Sequence, residues 1–187
     1  MKNKNIKWVF VCGIDNILLK IVDPLFLGLT ISKNYNVSSK TIFKEIPLDT
    51  ECVFAKINGK PSILDYKDIS LDLSETTDIS GNYLYREANV LSHLFSIEAI
   101  EKASKFKLPY HRAFKKNTFV NDEGVKQIPE ERNSFKFEKF IFDAFNYFDD
   151  LLLFRVSKDE LAPIKSLSGI NTPEVATKLY VASKKNI

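Results

Sequence analysis

Three charged side chains, Asp15, Asp65 and Lys165, stand where the surrounding sequence could put them to chemical use. Asp15 follows the run Trp8 to Ile14, which is mostly apolar and reads as a β-strand buried on both faces. In open α/β sheets, ligands bind at the carboxyl ends of strands. A carboxylate there could hold Mg²⁺ or a sugar hydroxyl, since hard cations take oxygen ligands, or it could cap the next turn. Asp65 ends the second arm of a hairpin, Glu51 to Ile57, Asn58-Gly59, then Lys60 to Tyr66, and places another carboxylate at a strand end. Lys165 is presented by the loop Ala162-Pro163-Ile164-Lys165.

The elements that must position these groups are readable from their punctuation. Asn58-Gly59 predicts a type I′ turn, because both residues tolerate positive φ. Asp23-Pro24 is an N-cap followed by proline at the first helical position, and Leu25, Phe26, Leu29 and Ile31 fit one face of a helix ending near Asn34. Val37 to Ile46 reads as a strand with polar breaks, and Leu71 to Gly81 as mostly loop. The mixed stretch Tyr83 to Leu94 holds Asn89 and His93, the latter read as a satisfied core histidine. Ser96 predicts an N-cap for a helix bearing Ile97, Ile100 and Phe106 on one face. Residues Lys107 to Ser134 are basic and turn-rich, with Asn121-Asp122-Glu123-Gly124 as a hairpin tip. Apolar residues at 137, 140, 141, 144, 145 and 148 predict a core helix across Phe135 to Phe148. Leu151 to Val156 reads as a buried strand, and Asn171-Thr172-Pro173-Glu174 opens a helix ending near Ser183. Alternating strands and helices with at least one hairpin argue for an α/β domain with a mixed sheet.

The 187 residues suffice for one domain, 1–187, with a sizeable core. Hydrophobic residues at 44% and charged residues at 27% describe a soluble globular chain rather than a disordered one. The net charge of +3 comes from 27 basic and 24 acidic residues, and the basic residues form no stripe, so no nucleic-acid partner is expected. Ile6 to Ile14 is too short to span a membrane, and no cleavage site for a signal peptide follows it. Cys12 and Cys52 lie in apolar runs and read as reduced core residues of a cytoplasmic protein. Two histidines and two separated cysteines argue against a structural zinc cluster.

Five blocks, taken in order, resemble the eukaryotic-type UDP-N-acetylglucosamine pyrophosphorylases. Gly13-Ile14-Asp15-Asn16-Ile17-Leu18 followed by Asp23-Pro24 resembles their V-D-N-I-L…D-P segment. Asn58-Gly59…Leu64-Asp65-Tyr66…Ile69-Ser70 resembles D-G…V-E-Y-S-E-I-S. Tyr85 to Phe95, Y-R-E-A-N-V-L-S-H-L-F, resembles F-N-A-G-N-I-A-N-H-F-F. Phe135 to Asp143, F-K-F-E-K-F-I-F-D, resembles I-K-M-E-K-F-V-F-D, and Ala162 to Lys165 resembles S-P-L-K.

The resemblance implies a Rossmann-like, GT-A-like nucleotidyltransferase core. That core joins UTP to N-acetylglucosamine 1-phosphate with Mg²⁺ and releases pyrophosphate. It implies that Asp15 lies by the metal, sugar and phosphates, that Asn89 and the Asp65-Tyr66 pair bind sugar, that Phe140 packs near the acetamido pocket, and that Lys165 reaches phosphate oxygens. Three positions depart from the pattern. Asp65 replaces a longer glutamate, Cys52 replaces a glycine whose space its side chain could crowd, and Arg86-Glu87 replaces a small polar pair before Asn89. UDP-glucose or UDP-galactose synthesis therefore stays open. The family's Gly-rich nucleotide fingerprint precedes the matched segment, and the six glycines here form no such loop. The expectation is a C-terminal, sugar-phosphate-binding portion that works with a complementary N-terminal half. A non-catalytic sugar-phosphate-binding or partner-binding domain, or a remnant, is the alternative.

Overall fold

The structure, a computed structural model, describes residues 2–45, 51–65 and 68–184. Its centre is the ten-residue strand β5 (Glu87–Ser96), which carries neighbours on both edges. One edge takes β2 (Val37–Phe43), whose other side pairs in parallel with β10 (Leu152–Arg155). The other edge is shared: β1 (Trp8–Cys12) pairs with residues 92–96, and β3 (Val53–Ile57) meets Ala88. The strand β4 (Lys60–Leu64) completes the hairpin with β3, giving six strands among the described residues. All pairings but β10–β2 are antiparallel, so the sheet is mixed, as the alternation of elements predicts.

Both faces of the sheet are covered, and residue alternation along β2 decides which side chains go where. On one face lies the helix α1 (Pro24–Ser32), with Phe26 stacked on Phe154 at 5.4 Å and the Thr30 and Ser38 hydroxyls 2.8 Å apart. The Asp23 carboxylate caps this helix by accepting from the Phe26 amide at 3.1 Å, as Asp-Pro predicts. The single-face expectation for α1 does not hold: Phe26 and Thr30 are buried, whereas Leu25 and Ile31 are 69% and 51% exposed. On the opposite face, Val37, Phe54 and Phe95 form the main core with Phe145, Phe148 and Ala99 of α3 (Ile97–Ser104). Ser96 caps α3 through the Ala99 amide at 3.0 Å. Phe106 lies beyond its end, stacked on Tyr147 at 4.0 Å.

Several expectations are corrected. The run Trp8 to Ile14 is not a central, doubly buried strand: β1 ends at Cys12, is half-buried throughout, and pairs only with β5 among the described residues. Ile14 is fully exposed. Likewise β10 is a half-buried edge strand, bonded to β2 alone among the described residues. Leu71 to Gly81 contains a one-turn helix, α2 (Leu71–Ser74), capped by the Ser70 hydroxyl. Cys12 and Cys52 are not joined in a disulfide and are half-buried rather than core.

The largest correction falls on Phe135 to Phe148. It splits into a strand and a 3-10 helix, Ile141–Tyr147. Around it, β6 (His111–Lys115) and β7 (Phe119–Val120) lead to β8 (Lys126–Gln127), and β9 (Ser134–Glu138) returns to pair with β6. The β7–β8 tip turns at Gly124 (φ 78°), as its Asn-Asp-Glu-Gly sequence predicts. Phe135 and Phe137 are exposed on β9, with Phe135 against Phe114 at 4.7 Å, so they are not core residues.

Candidate functional site

Beyond β1 the chain turns at Gly13-Ile14-Asp15-Asn16, and its shape there is set by close approach. The Gly13 amide donates to the Leu91 carbonyl at 3.0 Å. A methyl at Gly13 would lie 2.7 Å from Asp15 Oδ1 and 3.3 Å from Leu91 Cδ2, so glycine is what lets the Asp15 carboxylate fold back over β1. Leu91 itself sits at φ 50°, in a region costly for a branched side chain, where β5 gains residues against β2 between Ser39 and Thr41. This bulge aims the segment Asn89-Val90-Leu91 at the Asp15 turn.

Asn16 then fastens the turn to the distant loop of Lys165. Its Nδ2 donates to the Glu160 carbonyl at 2.9 Å, and its Oδ1 accepts from the amides of Ala162 at 2.8 Å and Leu18 at 3.2 Å. The Ile164 amide donates to the Asp15 carbonyl at 2.9 Å. On the far side, the Lys165 amide donates to the Asn171 carbonyl at 2.9 Å, just before α4 (Pro173–Lys184), whose first turn Thr172 caps through Val175.

A buried charge cluster braces the same loop from below. Lys40 Nζ, on β2 and almost wholly buried, lies 2.6 Å from Asp23 Oδ2 and 3.2 Å from Glu160 Oε2, while Lys20 reaches Glu160 Oε1 at 2.8 Å. Burial pushes the Asp23 carboxyl up, but bonds from Lys40 and the Phe26 amide and the charges of Lys40 and Lys20 outweigh it and hold its pKa below the usual value. The hydrogen bond and charge of Glu160 raise the Lys20 pKa against some burial.

These ties enclose a cavity of about 450 Å³ lined by Asp15, Asn89 and Lys165 together, with Glu51, Lys158 and Leu91 among its other walls. The Asn89 side-chain oxygen accepts from the Leu91 amide at 2.9 Å, which turns its amide nitrogen to other use. Asp65 and Cys52 lie at the open end of the β3–β4 hairpin, beside β5. Val53 pairs with both Leu64 and Ala88, so Asp65 and Cys52 adjoin this register, but neither is among the cavity's walls. The Asn89 amide donates to the Cys52 carbonyl at 2.8 Å. Tyr66 lies outside the described residues. Phe140 is not among the cavity's walls: it precedes the 3-10 helix, against His111 at 4.7 Å and Phe142 at 4.8 Å.

His93 is a core residue, as its apolar setting predicts, but not a fully satisfied one. Its Nδ1 lies 2.8 Å from the Ser39 hydroxyl, while Nε2 is buried without a partner among the described residues. Burial between Phe95 and Phe145 pushes its pKa down to about 3, so it is held neutral in the folded chain. Sequence reasoning passed over Asn16, Glu51 and Lys158. Asn16 was visible as the residue following Asp15, but its role depends on a contact 144 positions away.

Among the described residues, no three His, Cys, Asp or Glu side chains gather as a metal cage. Two carboxylates, Asp15 and Glu51, line the cavity, and this suits Mg²⁺, which commonly takes one or two carboxylates and completes its shell with water and phosphate oxygens. No helix among the described residues is long and apolar enough to cross a membrane.

Comparison with known proteins agrees with this architecture. The family described as UTP–glucose-1-phosphate uridylyltransferase matches residues 1–186. The chain is 30% identical over 189 residues to the UDP-N-acetylglucosamine pyrophosphorylase of Saccharomyces cerevisiae, covering 95% of this chain and 39% of that one. It is 31% identical over 184 residues to the UDP-N-acetylhexosamine pyrophosphorylase-like protein 1 of Xenopus tropicalis, covering 95% and 36%. The crystal structure of the Trypanosoma brucei uridine diphosphate N-acetylglucosamine pyrophosphorylase is similar with a TM-score of 0.80 at 26% identity, over 97% of this chain and 36% of that one. The chain thus spans little more than a third of the length of the curated relatives it matches.

Proposed function

Because the chain belongs to the UTP–glucose-1-phosphate uridylyltransferase family, we propose that it forms the sugar-phosphate-binding part of an enzyme joining UTP to N-acetylglucosamine 1-phosphate. Turnover would require a nucleotide-binding half joined to it. The observation that carries this reading is the cavity that gathers Asp15 from the turn after β1, Asn89 from β5 and Lys165 from the loop before α4. The preference for the N-acetylated sugar rests on the names of the yeast and trypanosome proteins; glucose or galactose 1-phosphate is the alternative.

In this reaction a phosphate oxygen of the sugar phosphate attacks the α-phosphorus of UTP, a new P–O bond forms, and the bond to the departing pyrophosphate breaks. No proton need move, so catalysis reduces to positioning and charge neutralisation. Lys165 supplies a fixed positive charge, because its backbone is tied to Asn171 and its neighbour Ile164 to Asp15. Asn89, with its oxygen held by Leu91, offers its amide nitrogen to a sugar hydroxyl. Asp15, with Glu51 nearby, would hold Mg²⁺ against the phosphates, and the ion when bound supplies further positive charge there. A cytoplasmic setting, where thiols stay reduced, suits Cys12 and Cys52, which form no disulfide.

The test is pyrophosphate release from UTP and either N-acetylglucosamine 1-phosphate or glucose 1-phosphate, with this chain alone and after adding the nucleotide-binding half of a relative. Release is expected only in the combined sample, and faster with the acetylated sugar. Release by the chain alone would overturn the requirement for a second half. No release from the combined sample, with both parts shown to associate, would leave sugar-phosphate binding without chemistry.

A further inference from the structure

Lys158 lines the same cavity as Lys165 but has no place in the reading above. Resting on that reading of the cavity as a sugar-phosphate site, we propose that Lys158 is a second phosphate-binding lysine, gripping the phosphate from the other end of the loop that presents Lys165.

The backbone of Lys158 is held as firmly as that of Lys165. The Val156 amide donates to the Thr41 carbonyl at 2.8 Å, anchoring the end of β10 to β2. The Ser157 hydroxyl accepts from the Asp159 amide at 3.2 Å and caps the short 3-10 turn Lys158–Glu160. The Lys158 carbonyl accepts from the Leu161 amide at 2.9 Å. Glu160 of that turn is bound by Lys20 and Lys40, so the turn cannot swing away from the cavity without breaking a buried ion pair.

The side chain, by contrast, is free to change partner. Its ammonium lies 3.0 Å from Glu45 Oε1 in a pair where both side chains are well exposed, 48% and 73%. Exposed pairs of this kind contribute little, because water already screens both charges. A phosphate monoester carries close to two negative charges at neutral pH and offers three acceptor oxygens. Exchanging Glu45 for such an anion trades a singly charged partner for one with nearly twice the charge and more acceptor oxygens. The cavity also contains the carboxylates of Asp15 and Glu51, which oppose an anion. Before any Mg²⁺ binds, one lysine against two carboxylates would leave the cavity lining negative, and the second lysine brings these four charges to neutrality.

The test is calorimetric titration of the chain with N-acetylglucosamine 1-phosphate, with inorganic phosphate and with N-acetylglucosamine lacking phosphate. The proteins are the unmodified chain, Lys158→Ala, Lys165→Ala and Glu45→Gln. Lys158 is half exposed, so its removal should leave the melting temperature unchanged. Lys158→Ala is expected to weaken both phosphate ligands by about 5–10-fold, the scale of one partly screened charge-assisted bond. It should also flatten the salt dependence of binding, while the phosphate-free sugar is unaffected. Glu45→Gln, which frees Lys158, should bind phosphate at least as tightly as the unmodified chain. If Lys158→Ala binds as well as the unmodified chain while Lys165→Ala weakens, the proposal fails and the sugar-phosphate reading stands. If the unmodified chain binds neither phosphate ligand, both fail together.

Discussion

The side-chain oxygen of Asn16 accepts the Ala162 amide at 2.8 Å, and this bond joins the turn of Asp15 to the loop of Lys165 across 146 residues of sequence. Each charged group then has a fixed backbone beneath it. Asn16→Ala would orphan the Ala162 amide, on a residue almost wholly buried, and would free the Glu160 carbonyl. The expected cost is about 1–3 kcal/mol. Hydrogen exchange should quicken at Ala162 and Ile164 before it does in β5, and equal protection at both places would contradict the clasp.

Lys165→Ala and Asp15→Asn should each lower pyrophosphate release by a combined enzyme by about 10²–10³-fold, the usual effect of removing one electrostatic partner of the transition state. Turnover within a factor of two of the unmodified protein would remove either residue from its proposed role.

Gly13→Ala should act on the site more than on the fold. The added methyl would stand 2.7 Å from Asp15 Oδ1, and the carboxylate can yield by rotating away. Ligand affinity is expected to fall several-fold with little change in melting temperature. A large loss of stability with unchanged affinity would show that Leu91, not Asp15, gives way.

His93 makes the fold sensitive to mild acid. Its ordinary pKa of 6.5 applies in the unfolded chain, and burial lowers it to about 3 in the folded one. Above pH 6.5 neither state binds the proton, and the histidine adds no pH dependence to stability. Between pH 6.5 and about 3 only the unfolded chain binds it, so stability falls by up to about 1.4 kcal/mol per pH unit. His93→Phe removes that proton uptake and should shrink the drop in melting temperature between pH 7 and pH 5, while Ser39 keeps the Lys40 and Ser92 carbonyls as acceptors. An unchanged drop would assign the acid sensitivity to other groups.

The apolar surface around α1 predicts association. Ile21, Val22 and Leu25 are 66%, 81% and 69% exposed, and covering each such side chain is worth about 1.5–3 kcal/mol. Light scattering of the isolated chain should show self-association that disappears when a nucleotide-binding half is added. A clean monomer with a sharp melt would refute this.

What the sequence disclosed was mostly local. Asp23-Pro24, Asn58-Gly59, Ser96 and Thr172-Pro173 each specify their turn or cap by short-range chemistry, and each forms it. The stretch Phe135 to Phe148 misled because two shorter periods add up to a helical one. Phe135 and Phe137 alternate on a strand, while Phe142, Phe145 and Phe148 recur every third residue, the period of a 3-10 helix. The motifs pointed to Asp15 and Lys165, and both line the cavity. Lys158 could not be found this way, because its access to the cavity depends on a turn capped by Ser157 and braced by Lys40 from another strand.

The helix α1 contains no charged residue, yet only Phe26 and Thr30 of it are buried. Whatever covers the rest would be bound chiefly through the release of water, not through ion pairing. Such a union has a negative heat-capacity change, tolerates added salt, and loosens on cooling. An assembly built on this face would be harder to hold together on ice than at growth temperature.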